Sequence, residues 1–155
     1  MRLILITLLL SLLLLPAHAR LGETEDQCVQ RYGPVVNRTT SGISGLDLPM
    51  LVFAKNGYKV VTIMLNDKVC CLTILKADQT ALSDNEIDLF LTANNANQKW
   101  TKQDGVSTNI VWFRDDGTQA QYDPSQHALI IVSKEYLDVK AAAQKAEDAK
   151  KTQGF

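Results

Sequence analysis

Two dipeptides between residues 50 and 76 limit the fold more than any other feature of this sequence. Asn56-Gly57 and Asn66-Asp67 interrupt a long run rich in Val, Ile, Leu and Thr. Asn-Gly tolerates the positive φ angles of a two-residue hairpin turn, and β-branched residues suit a half-buried pleated surface. The spacing predicts an antiparallel meander with strands over 50–55, 58–65 and 68–76. Side chains alternate across a strand. One face should therefore collect Val52, Ala54, Val61, Ile63, Cys70, Leu72 and Ile74, and the other Leu51, Phe53, Val60, Thr62, Met64, Val69, Cys71 and Leu75. Neither face is polar, so each is expected to be covered, by the chain itself or by a partner.

Helix signals flank this meander. Thr24 and Gln27 form a capping box that opens a helix over Glu25 to Tyr32, and Gly33-Pro34 stops it. Ser83 and Glu86 form a second capping box, opening a helix to about Asn94 with Ile87, Phe90 and Leu91 on one face. Residues 37–49 read as a loop, dense in Asn, Thr, Ser, Gly and Pro, and Gln98 to Ser107 as a polar connection. Further strands are expected over 109–114, 118–122 and 128–133, followed by an Ala- and Lys-rich helix from near Glu135. The order is thus α-βββ-α-βββ-α. The fold class is α+β, an antiparallel sheet of five to six strands with helices packed on one side. The expected organisation is a leader over 1–19, a single domain over 20–135, and a C-terminal helix and tail over 136–155.

The leader is a separate segment. Arg2 supplies a positive start, Leu3 to Leu15 is apolar except for Thr7 and Ser11, and Ala17-His18-Ala19 has the small-x-small form of a cleavage site. The apolar run is shorter than the roughly 20 residues a spanning helix needs, so a secreted or periplasmic destination and no remaining membrane span are expected. Cleavage removes Arg2 and takes the formal charge from −1 to −2, which gives no basic excess for nucleic acid. It also removes His18, leaving His127 as the one histidine.

In the second half, Asp116-Gly117 reads as the central pair of a hairpin turn. Phe113 would then face Ala120, and Val111 would face Tyr122, on the core side. Trp112, Arg114, Gln119 and Gln121 would share the opposite face. Trp and Arg are enriched where partners bind most tightly, so these four residues are the expected partner-binding site, for an envelope or extracellular protein.

The three cysteines leave one odd thiol, and a bridge from Cys28 to Cys70 or Cys71 would pin the first helix to the sheet. Three buried thiols are the alternative. No zinc spacing, P-loop, dinucleotide fingerprint or Gly-x-Ser-x-Gly elbow occurs in the sequence. No metal, cofactor or enzymatic activity is therefore expected. The competing reading is a small hydrolase using His127, which lies in a turn before a strand.

The segment carrying Gly22, Thr24, Gln27, Gly33 and Pro34 resembles the opening of SmpA/OmlA (BamE-like) domains. The lipoprotein cysteine of that family is missing here, and a second helix-plus-strands half follows. The two halves resemble, in topology, the tandem arrangement of beta-lactamase inhibitory proteins. Both resemblances imply a non-enzymatic protein-binding role in the envelope or outside the cell. They carry over no functional residue.

Overall fold

The computed structural model describes residues 20–43, 46–103 and 108–152; the expected leader lies outside them. The elements run α1 (Glu25–Tyr32), β1 (Asn37–Ile43), β2 (Leu46–Lys55), β3 (Tyr58–Leu65), β4 (Lys68–Lys76), α2 (Asp84–Ala93), β5 (Thr101–Gln103), β6 (Ile110–Phe113), β7 (Gln119–Asp123), β8 (Ala128–Val132) and α3 (Lys134–Thr152).

These strands form one antiparallel sheet in the order β1-β2-β3-β4-β8-β7-β6-β5. The sheet has eight strands, so the expected five to six and the order α-βββ-α-βββ-α are corrected. The two missed strands are the sheet's edges. In β1, Arg38, Thr39 and Thr40 look like loop residues because an edge strand presents them to water, and Ser41, though buried, is just as polar. β5 is three exposed residues, Thr101–Gln103, too short and too polar to show alternation.

Two four-stranded meanders thus meet through their last strands. The seam pairs Cys71 with Val132, Leu72 with Ile131, Thr73 with Ile130 and Ile74 with Leu129. Both capping boxes are present, with Thr24 accepting from Gln27 N and Ser83 from Glu86 N. α1 and α2 pack on one face of the sheet. There Leu51, Phe53, Leu72, Ile74, Leu129 and Ile131 are fully buried and join Cys28, Tyr32, Ile87, Phe90 and Leu91 in the main core. The Tyr32 ring tilts against Phe53 at 5.3 Å, and Tyr58 meets Phe90 edge-on at 5.4 Å.

The expected faces hold for β2 and β3 but fail along β4. Ile63 pairs with Cys71 while Met64 pairs with Val69, so Cys70 is an extra residue in the ladder. Such a bulge turns the following side chains over. Leu72 and Ile74 therefore join Leu51 and Phe53 in the main core, and Cys71 and Leu75 move to the other side. Cys70 and Cys71, neighbours expected on opposite faces, lie in one small outer cluster with Ile63 and Tyr136 of α3. The helices are consequently not all on one side. α1 and α2 cover the inner face, and α3 seats Tyr136 on the outer one.

Candidate functional site

The four residues expected to share a partner-binding face are divided by the sheet. Arg114 N donates to Thr118 O at 2.9 Å, and Gly117 N donates to Arg114 O at 3.0 Å. The β6–β7 loop is thus three residues, Asp115, Asp116 and Gly117, with Gly117 at φ +82. That is a type I turn completed by a left-handed glycine, the form that three-residue hairpin loops favour. Phe113 pairs with Gln119, Trp112 with Ala120 and Val111 with Gln121. A slip of one residue moves every side chain to the other face. Trp112 and Arg114 are therefore inside, each 9% exposed, while Gln119 and Gln121 stay outside with Phe113 and Val111.

Inside, Arg114 holds three elements together. Its Nη1 donates to Asn94 O, the carbonyl at the C-terminal cap of α2, where the helix dipole favours a cation. Nε bonds Asp116 Oδ1 at 3.1 Å, and Nη2 bonds the other Asp116 oxygen and Thr118 Oγ1. The guanidinium lies 5.2 Å from the Trp100 ring centroid, and Trp100 Nε1 bonds Leu91 O at 2.7 Å. The hydrogen bonds from Arg114 hold the Asp116 carboxyl down to about 2, against a burial effect of opposite sign. The chemistry of this cluster is structural: it fastens the hairpin to the end of α2.

Outside, the registers align one row across the whole sheet: Asn37, Val52, Val61, Thr73, Ile130, Gln121, Val111 and Gln103. The six residues from Val52 to Val111 are each half-buried, and α1 and α2 pack on the opposite face. A second row runs Met50, Ile63, Cys71, Val132, Gln119 and Phe113, with Tyr136 against its Ile63–Cys71 portion. Eight strands at about 4.8 Å spacing make a face roughly 34 Å wide. Sequence reasoning missed Val111 and Phe113 here. The signal that could have placed them was the order Asp-Asp-Gly, which fits a three-residue loop better than a two-residue one.

The expected bridge from Cys28 to Cys70 or Cys71 is absent: all three thiols are free and buried. Cys28 belongs to the inner core and the other two to the outer cluster, so the sheet separates them. Burial raises Cys28 and Cys71 to about 12 and Cys70 to about 11, which keeps them protonated and unreactive at neutral pH. His127 sits in the β7–β8 turn at φ +50, with Nδ1 2.6 Å from Gln79 O. That contact ties two loops together. Among the described residues, no three His, Cys, Asp or Glu side chains gather where they could hold a metal ion. No described helix is long and apolar enough to cross a membrane.

No family model matches the chain, and no curated protein matches it. Among solved structures, it is similar to an extracellular protein containing a SCP domain from Bacillus anthracis str. Ames, at 13% identity and a TM-score of 0.42. The match covers 75% of this chain and 45% of that one, so the chain spans less than half of its length.

Proposed function

We propose that this chain is an exported, non-enzymatic binding module that holds a protein partner against the outer face of its sheet. The observation that carries the reading is the row Val52–Val61–Thr73–Ile130–Gln121–Val111, half-exposed on the side away from α1 and α2. Sheet faces that meet only water normally carry polar side chains at every second position. Here four of the six middle residues, Val52, Val61, Ile130 and Val111, are apolar, with Thr73 and Gln121 between them and the polar residues Asn37 and Gln103 at the two edges. A largely apolar centre with a polar rim is the anatomy of a recognition surface. Gln119 and Gln121 flank Phe113 and Val111 and supply hydrogen-bonding groups beside the apolar contact. The Ala17-His18-Ala19 leader supports export, and the resemblance of the opening segment to SmpA/OmlA domains points to the same class of role.

The test is cross-linking and affinity capture in an extract of the native compartment, with Phe113→Glu and Val61→Glu beside the unaltered protein. The same partner should be captured by the unaltered chain and by a control changed at Lys99, on α2's side of the sheet, and lost with both outer-face variants. Retention of that partner by folded Phe113→Glu and Val61→Glu would remove the outer face as the binding surface.

A further inference from the structure

Among the described residues, four buried side-chain atoms lack a hydrogen-bond partner, and three of them belong to one short segment: Arg20 Nε, Glu23 Oε2 and Tyr32 Oη. Buried polar atoms are ordinarily satisfied, so three orphans in one corner require a cause. The backbone here is held on both sides. Leu21 N donates to Asn94 Oδ1 at 2.9 Å, Gly22 N to Val69 O at 2.8 Å, and Val69 N to Glu23 O at 2.8 Å. Those bonds fix where the nitrogen of Arg20 lies. Arg31 leaves Glu23 Oε2 unserved, because its Nε and Nη2 both take Glu23 Oε1, at 2.7 and 2.5 Å. Glu23 is 8% exposed, so water does not make up the difference at Oε2. The Tyr32 hydroxyl is pushed well above its usual range, by burial first and the Glu23 charge second. The Arg20 backbone N–H works against that shift. It completes no hydrogen bond to the hydroxyl.

We infer that this corner is a seat for an α-ammonium group, the one created on Arg20 when the leader is removed, held between Tyr32 Oη and Glu23 Oε2. The inference rests on the exported reading above. A leader peptidase hydrolysing the Ala19–Arg20 amide consumes one water. The carboxylate stays on Ala19 and leaves with the leader, and the amine on Arg20 takes up a proton. One amide donor thereby becomes three ammonium donors carrying a positive charge. Two of them serve the orphan oxygens, and the charge meets Glu23, whose second oxygen Arg31 does not serve. Processing thus supplies donors to the two unpaired oxygens of this corner, Glu23 Oε2 and Tyr32 Oη, while Arg20 Nε, itself a donor, is not served by it. The chain reaches full stability only after the leader is gone. The charged and titratable groups facing the seat are Glu23, Cys28, Arg31 and Tyr32 from the α1 side, together with the guanidinium of Arg20 itself. Across the neighbouring cavity stands Arg114, already paired with Asp116.

Every described element lies within residues 20–152, so the chain from Arg20 to Phe155 contains all of them. The experiment compares that chain with a free α-amine and with an acetylated one, by thermal unfolding across pH. An α-amine titrates near pH 8 when unconstrained. A folded value raised by Glu23 gives stability that is full below that pH and lost as pH rises through the folded value. The free-amine chain should therefore melt roughly 3–6 °C higher at about pH 6, and the gap should close by about pH 10. Tyr32→Phe keeps the ring against Phe53 and should shrink the gap, as should Glu23→Gln. Equal melting of the two chains at about pH 6, or a gap unchanged by both substitutions, overturns the seat. Mass spectrometry of the native N-terminus tests the premise separately: a start at Arg20 supports it, and any other start overturns the exported reading at this site.

Discussion

Replacing Arg114 with Met tests whether the hairpin is held to α2 by charge and hydrogen bonds. Met retains most of the aliphatic stem and removes the guanidinium. The buried carbonyl of Asn94 then loses a charged donor, a loss of about 1–2 kcal/mol. The stacking on Trp100 adds roughly 0.5–1 kcal/mol. The Asp116 side chain is 36% exposed, so water replaces most of what it loses and its share is at most about 1 kcal/mol. The sum is about 1.5–4 kcal/mol, which lowers the melting temperature by roughly 5–14 °C for a domain of this size. Urea unfolding at pH 7 measures the first figure and calorimetry the second. The pH dependence supplies an independent check. The Asp116 pKa falls from 3.8 to about 2 on folding, so its contribution is complete above 3.8 and disappears as pH falls toward 2. The gap between the two proteins should narrow over that interval. A loss under about 0.5 kcal/mol at pH 7 would refute the reasoning, because a buried charged donor to a helix end contributes more than that.

Gly117→Ala should cost about 1–2 kcal/mol, because φ +82 strains any Cβ and the new methyl would come within 2.9 Å of the Lys134 side chain. Gly117→Asn should be milder than its bulk implies, since Asn tolerates the left-handed region; chemical unfolding ranks the two. Thiol titration of the denatured, unreduced chain from Arg20 should count three free groups, and the folded protein at pH 8 should react slowly at all of them. A count of one would show a bridge.

Local chemistry was legible in the sequence wherever one element decides it. Thr24 with Gln27, Ser83 with Glu86, and Gly33 specify their helix ends without help from the rest of the chain. The turn at Asn56-Gly57 likewise fixed the β2–β3 register, including Phe53 opposite Val60. The failures arose where one inserted residue reverses everything after it. Cys70 adds a residue to β4, and Asp115 adds one to the β6–β7 loop. Each sends a correct alternation to the wrong face, which is why Trp112 and Arg114 moved from the expected site into the core. The edges β1 and β5 were illegible for another reason. A strand with one unpaired side facing water needs no apolar run, so Arg38 to Ser41 carries no alternation to detect. The outer face emerged only after the registers were known, because its row combines residues from every strand.

The seam between β4 and β8 also sets an order of events during synthesis. β4 is complete before α2 and β5–β7 exist, and until β8 arrives its Leu72–Ile74 flank is an unpaired rim seeking a mate. Backbone rims of this kind recruit other chains when their own partner is late. A second copy's β8 offers the same four pairings, so two molecules refolding together can trade their C-terminal halves without losing a single seam contact. The seam that joins the halves is thus also open to exchange, a reaction that dilution during refolding disfavours.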